Sequence, residues 1–326
     1  MQFGQAKPPA GVVFDCDMSG IDDALALAML YGFQGKNEIR LAGMNVSRPS
    51  LKAVAFCEAV SNFYLGPPGP FGGSTLAVGM TLAGKMADDT PMVSEPLARE
   101  TAEGKPAYNH SVQKLNDTAD PLAVIRNALS AQFDQNAMVV LAGPATNLAR
   151  VLDLPGVKNL IAQKAKYLSV AAGSFPNGQP ESGIKNDIAA ARKLFAEWPT
   201  PIVAAGSEVG EALPFPGSSI EKDFAWSTAH PVVDAYRAYH AMPYDAPSWA
   251  MAAVLYAVHP QDNYFQVSAP GTITVLDDGR TRWTPAADGK HRYLIADPAQ
   301  KERVIHTYTE IASLKPAGRP GRFRKQ

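Results

Sequence analysis

The segment Val12-Val13-Phe14-Asp15-Cys16-Asp17-Met18-Ser19-Gly20-Ile21-Asp22-Asp23-Ala24-Leu25-Ala26-Leu27 constrains the fold more than any other part of the chain. Its apolar run reads as a short buried strand, and the run stops at a carboxylate. A small turn with Ser19 and Gly20 follows, and a helix then opens on Asp22 and Asp23. Open α/β sheets bind ligands at the carboxyl ends of their strands, where these acids fall. The positive end of a helix accounts for Asp22 and Asp23. It does not account for Asp15 and Asp17. Four carboxylates this close repel one another unless a cation or shared protons offset the charge. Hard oxygen donors at such density favour Ca²⁺ or Mg²⁺ over softer metals.

Downstream the alternation continues. The first helix is expected from Asp22 to about Tyr31, a second strand over Ile39–Val46 and an amphipathic helix over Ser50–Tyr64. Further helices are read at Pro121–Gln132, Leu148–Leu152 and Asp187–Trp198, and strands at Ala137–Ala142, Tyr167–Ala172 and Pro201–Ala205. This order predicts an α/β fold: an open, mostly parallel, doubly wound (Rossmann-like) sheet with helices on both faces. Residues 220–242 and Asp245–Val258 read as helical. Phe265–Val267, Thr272–Leu276 and Thr281–Thr284, with a turn at Asp277-Asp278-Gly279, form a small C-terminal antiparallel β appendage. Gly66–Gly73 is a Pro/Gly loop, and Ala87–Asp117 is read as a long irregular loop of the kind that is functional or mobile. One domain over residues 1–326, with flexible tails at 1–10 and 316–326, is the economical organisation.

Composition narrows the function classes. In 326 residues, 30 Lys and Arg face 31 Asp and Glu, so no basic patch for nucleic acid is announced. The basic run Arg319–Lys325 reads as a solvated terminus. Two cysteines, Cys16 and Cys57, give no disulfide framework. Negative neighbours oppose a thiolate at Cys16, which reads as a small buried filler. No apolar run is long enough to span a bilayer. The first ten residues are polar and proline-containing and do not read as a signal peptide. A cytoplasmic location and export after removal of a leader both stay open, and so does homo-oligomerisation.

With Asp15-x-Asp17, Asp22-Asp23 and Gly143-Pro144-Ala145-Thr146-Asn147 assembled, the chain resembles the inosine–uridine-preferring nucleoside hydrolase family. These Ca²⁺-dependent enzymes cleave the N-glycosidic bond of ribonucleosides. The family opens with an Asp-x-Asp, Gly, Asp-Asp pattern and carries Gly-Pro-Leu-Thr-Asn after a mid-chain strand, matched here with Ala145 in place of Leu. The likeness extends, less specifically, to 181–195 and 248–260. It implies Asp17 and Asp23 as calcium ligands, joined by the backbone carbonyl of Thr146. Asp17 would also be the general base that activates a calcium-bound water. Asp22, Asn177 and Glu181 would hold ribose hydroxyls, and Trp249 would line the substrate site.

Four departures stand beside the likeness. One extra residue between Asp17 and Asp22 requires a bulge at Met18-Ser19. The family's asparagine after the second strand aligns near Ser47–Ser50, where there is none, and its Glu-x-Asn appears as Glu181-Ser182-Gly183. The family's third carboxylate ligand aligns with Ala250, and Asp245 reaches the site only if that helix starts differently. Ala250 supports an alternative, a re-purposed member that binds a ribosyl-type ligand without efficient hydrolysis. A haloacid-dehalogenase-type phosphatase, with Asp15 as nucleophile, leaves Asp22-Asp23 and Gly143–Asn147 unexplained. His110 reads as a solvated loop histidine.

Overall fold

Strand β1 (Ala10–Cys16) lies inside a ten-stranded sheet and is flanked on both sides by parallel neighbours. The structure, a computed structural model, describes residues 8–66, 76–84 and 89–317. The basic run Arg319–Lys325 lies outside them, as do most of the Gly66–Gly73 loop and most of both expected tails. In chain order the other strands are β2 (Ile39–Val46), β3 (Val78–Met80), β4 (Ala137–Ala142), β5 (Ala165–Ala171) and β6 (Ile202–Ala205). They continue as β7 (Phe265–Val267), β8 (Gly271–Val275), β9 (Thr281–Pro285) and β10 (His291–Ala296). The sheet order is β3-β2-β1-β4-β5-β6-β10-β8-β9, with β7 on β10. Pairings from β3 through β6 to β10 are parallel, and those among β10, β7, β8 and β9 are antiparallel. After β1 the chain builds outward through β2 and β3, then returns to place β4 on the other side of β1. That reversal makes the crevice beyond β1 and β4 the topological switch point, the place where such sheets bind ligands.

Alternation along β1 assigns the two faces. Val12, Phe14 and Cys16 enter one apolar layer, with the helices Ile21–Gly35, Leu51–Leu65 and Trp249–Val258. Val13 enters the other, with Pro121–Ser130, Thr146–Val151 and Ile188–Glu197. The helix Trp249–Val258 is almost wholly buried, and its run of Ala, Met, Val and Leu reflects that.

Several boundaries differ from the sequence expectation. The stretch 220–242 is divided into the helices Gly217–Lys222 and Pro231–Tyr239. Pro231 cannot continue a preceding helix and instead occupies the first helical position, with His230 capping. The helix expected from Asp245 begins at Trp249, because Ala246 pairs in extended form with Phe215 and Ser248 is non-helical. The expected irregular loop Ala87–Asp117 contains the helix Pro91–Ala98. The antiparallel appendage is not detached. The strand β10, absent from the sequence reading, pairs in parallel with β6 and joins the appendage to the main sheet. The short strand β3 and the helix Lys301–Ala312 are additions. Among the described residues, no helix is long and apolar enough to cross a membrane.

The C-terminal helix packs closely against the helix that carries Asp22 and Asp23. A Cβ at Gly32 would stand 2.2 Å from the Ile311 carbonyl oxygen and 2.8 Å from Ile311 Cγ2. Backbone cannot yield as a flexible side chain can, so the clash outweighs the helix propensity that alanine adds. Gly32→Ala is expected to destabilise the fold by about 1–3 kcal/mol. Thermal unfolding checks this, and an unchanged or raised Tm would contradict the close approach.

Candidate active site

The turn after β1 carries the site, and its shape follows from where its polar groups are satisfied. Met18 adopts φ 51°, a conformation uncommon for a residue with a Cβ, and is fully buried. This is the bulge that the extra residue required. The backbone N–H of Met18 donates to Asp23 Oδ2 at 2.8 Å. Asp17 Oδ1 accepts from the Ser19 N–H at 2.9 Å and from the Ser19 hydroxyl. From behind, Arg48 Nε donates to the Asp17 carbonyl at 2.6 Å and Nη2 to the Met18 carbonyl at 3.4 Å. Arg48 is 4% exposed and forms a 3.0 Å ion pair with Asp89, which also accepts from the Ser50 hydroxyl. Where sequence reasoning registered a missing asparagine, this chain has a buried arginine bracing the turn.

The end of β4 closes on the same turn. A Cβ at Gly143 would lie 2.5 Å from Ser47 Oγ and 2.9 Å from the Asp17 nitrogen, so the approach needs glycine. In front opens a cavity of about 390 Å³, lined by Asp17, Asp22, Asp23, Gly143, Glu181, Ser207, Glu211, Tyr239 and Trp249. Asp22 Oδ2 accepts from the Ala250 N–H at 2.9 Å, tying the first helix to the start of the helix Trp249–Val258. Glu181 accepts from the N–H groups of Gly173, Gly183 and Ile184, and so caps the short helix Ser182–Lys185 while lining the cavity. The Trp249 indole N–H donates to the Ser207 carbonyl at 2.9 Å.

Burial sets the electrostatics. It pushes the Asp22 carboxyl up to about 6, with the charge of Asp17 adding to the effect and the Ala250 N–H opposing it. Asp23 is also raised, by burial and then by the charges of Asp22 and Asp17, and its carboxyl stands within hydrogen-bonding range of Asp17. Two carboxyls that face each other this closely require a proton or a cation between them. Asp15 lies behind the turn, fully buried, and burial raises it to about 7. Asn147 Nδ2 donates to Asp15 Oδ1 at 3.4 Å, while Asp15 Oδ2 meets no hydrogen-bond partner among the described residues.

Of the residues named from sequence, Asp17, Asp22, Asp23, Glu181 and Trp249 line one cavity. Asn177 does not. It is exposed and bridges to Arg282 of β9, because its loop folds back on itself through Gly178 N–H to the Ser174 carbonyl. Thr146 is buried and does not line the cavity, and its hydroxyl donates to Asp187 Oδ2 at 2.7 Å. Asp245 is exposed, and its Oδ1 accepts from the Gly217 N–H, so it does not replace the acid missing at Ala250. His110 is half-buried and lies off the cavity lining. Glu211 and Tyr239 were missed. Tyr239 ends a helix from the aromatic-rich stretch, while Glu211 carries no sequence signal. Among the described residues, no three His, Cys, Asp or Glu side chains converge as a metal cage. The facing pair Asp17 and Asp23 is still an all-oxygen donor set suited in kind to a hard cation.

The family model described as inosine-uridine preferring nucleoside hydrolase matches residues 12–307. Among solved structures, a plant nucleoside hydrolase, PpNRh1, is 18% identical with a TM-score of 0.70, covering 94% of this chain and 99% of its own. A purine-preferring ribonucleoside hydrolase from Gardnerella vaginalis is 17% identical with a TM-score of 0.68, at 93% and 98% coverage. The type III effector protein XopQ, solved with adenosine diphosphate ribose, is 14% identical with a TM-score of 0.64, at 95% and 95%. At such identities the structural likenesses speak to the fold. No curated protein matches the chain in sequence.

The buried Asp15 yields a test of the electrostatics. Its folded-state value, about 7, lies above the ordinary 3.8, so the neutral form is favoured in the fold. Its stabilising contribution is full below the ordinary value and is lost as pH rises through about 7. Asp15→Asn, which keeps shape but never ionises, is expected to stabilise the protein at about pH 8 by up to about 4 kcal/mol. Near pH ~4 parent and variant should unfold alike. Denaturant unfolding at the two pH values checks this, and a variant less stable than the parent at the higher pH would contradict it.

Proposed function

The chain belongs to the inosine-uridine preferring nucleoside hydrolase family, and from that premise we propose that its cavity hydrolyses the N-glycosidic bond of a ribonucleoside or similar riboside. The observation that carries this reading is the convergence of Asp17, Asp22 and Asp23, from one strand–helix turn, on a cavity at the topological switch point. Its volume, about 390 Å³, suits a small-molecule ligand.

Each wall has a role in this reading. Ser19 engages one oxygen of Asp17, which fixes the direction in which the carboxylate presents the other to a water molecule. Asp17 is the general base that takes the water's proton as the water attacks C1′ of the ribose. Asp22 and Glu181 accept hydrogen bonds from ribose hydroxyls, and their oriented charge stabilises the positive ribosyl ring as the bond to the base breaks. The backbone N–H groups that hold Asp22 and Glu181 keep those carboxylates from turning away. Trp249, anchored through its indole N–H, forms a wall for the base. Asp17 and Asp23 would hold Ca²⁺ with the backbone carbonyl of Thr146. The ion would offset their repulsion and supply Lewis acidity toward the attacking water. No separate observation favours a ligand-binding role without hydrolysis. Where Ala250 stands, its amide is already engaged by Asp22.

Release of free base from a panel of purine and pyrimidine ribonucleosides tests the activity directly. Asp17→Asn is expected to lower kcat by about 10²–10⁴-fold while the protein remains folded by circular dichroism. Turnover within a few-fold of the parent would remove Asp17 from the chemistry, and no release from any riboside would remove the function.

A further inference from the structure

We propose that the cavity selects nucleosides whose base carries a positive charge, such as an N-ribosylpyridinium or an N-alkylated purine riboside, over neutral nucleosides and over nucleotides. The inference rests on the hydrolase reading of the site and names its substrate class. Its first support is the charge of the lining. Asp17, Asp22, Asp23, Glu181 and Glu211 all contribute, and among the described residues no Lys, Arg or His does. Arg48 stands behind the turn, bonded to the Asp17 and Met18 carbonyls and paired with Asp89. A single divalent cation at Asp17 and Asp23 would leave the lining negative. A field of one sign inside a cleft concentrates the opposite charge and repels a phosphate.

The second support is the leaving group. When the C1′–N bond of a neutral nucleoside breaks, its electron pair goes to the base nitrogen, and the base then needs a proton. Among the described residues no histidine lines the cavity to supply one. Tyr239 is the aromatic hydroxyl there, and a phenol, with an ordinary pKa of about 10, is a weak proton donor at neutral pH. A cationic base avoids the problem. The same electron pair neutralises its positive nitrogen, and the base departs without a proton. Water adds to C1′ to give ribose, and its proton passes to Asp17 and then to solvent. The aromatic rings of Trp249 and Tyr239 in the same wall suit a cationic ring as well as a neutral one.

The test compares nicotinamide riboside, inosine and inosine 5′-monophosphate as substrates of the full chain with calcium present, at low and high ionic strength. The pyridinium riboside is expected to show a kcat/KM roughly tenfold or more above that of inosine at low salt. That value should fall as salt is raised while inosine's stays flat, and the monophosphate should not be cleaved. Glu211→Gln should lower the ratio of the two kcat/KM values several-fold. Equal salt responses for the two ribosides, or a ratio unmoved in Glu211→Gln, would overturn the charge selection while leaving the hydrolase reading standing. No base released from any of the three would overturn both.

Discussion

Repulsion among the carboxylates of one strand–helix turn is the constraint around which this molecule is arranged. Asp17, Asp22 and Asp23 are each at most 7% exposed, and burial raises the cost of ionising them together. The surrounding chain answers with fixed donors. Met18 N–H serves Asp23, Ser19 serves Asp17, and the Ala250 amide serves Asp22. Each of these bonds also settles a piece of architecture: the left-handed bulge at Met18, the mouth of the turn, and the docking of the helix Trp249–Val258 on the first helix. Arg48 offers a full positive charge, but to backbone carbonyls and Asp89 on the hidden side. The front of the turn is left acidic.

Sheet topology brings the other walls to that turn. Because β4 returns to the side of β1 opposite β2, the turns after both strands open on one crevice, and the loops after β5 and β6 border it. Glu181 comes from the loop after β5 and Glu211 from the helix Ser207–Ala212 after β6. Tyr239 and Trp249 arrive from still later in the chain. No segment holds the site alone, so substrate preference can be altered in the late elements without touching the turn of acids.

How much was legible in the sequence depended on whether a residue's role was local. The strands β2, β4 and β7 announce themselves because each is a short run bounded by breakers. The acids of the first turn are legible because charge at a strand end has few structural uses. The three-residue β3 is too short to show a pattern. The strand β10, with His291 and Arg292 in a mixed run, is defined by its partner β6 rather than by its own periodicity. The helix Lys301–Ala312 did carry a signal, since Val304, Tyr308 and Ile311 recur at helical spacing. Asn177 was misplaced because its loop turns at Gly178, and Arg48 was overlooked because a buried arginine is recognised by its partners. Glu211 is an ordinary surface acid until the fold brings it to the cavity rim.

The parallel pairing of β10 with β6 has a consequence for how the protein is made. The strand order places β6 between β5 and β10, so one edge of β6 has no partner until His291–Ala296 is available. During vectorial synthesis the β1–β6 half can form first, because its strands pair with neighbours already translated. It then waits with an apolar strand, Ile202–Ala205, open along one edge. Such an edge is a template for wrong partners. The span between residues 205 and 291 therefore sets a window during synthesis in which that edge stays unpaired. A premature stop or pause within that span should harm yield more than one beyond β10.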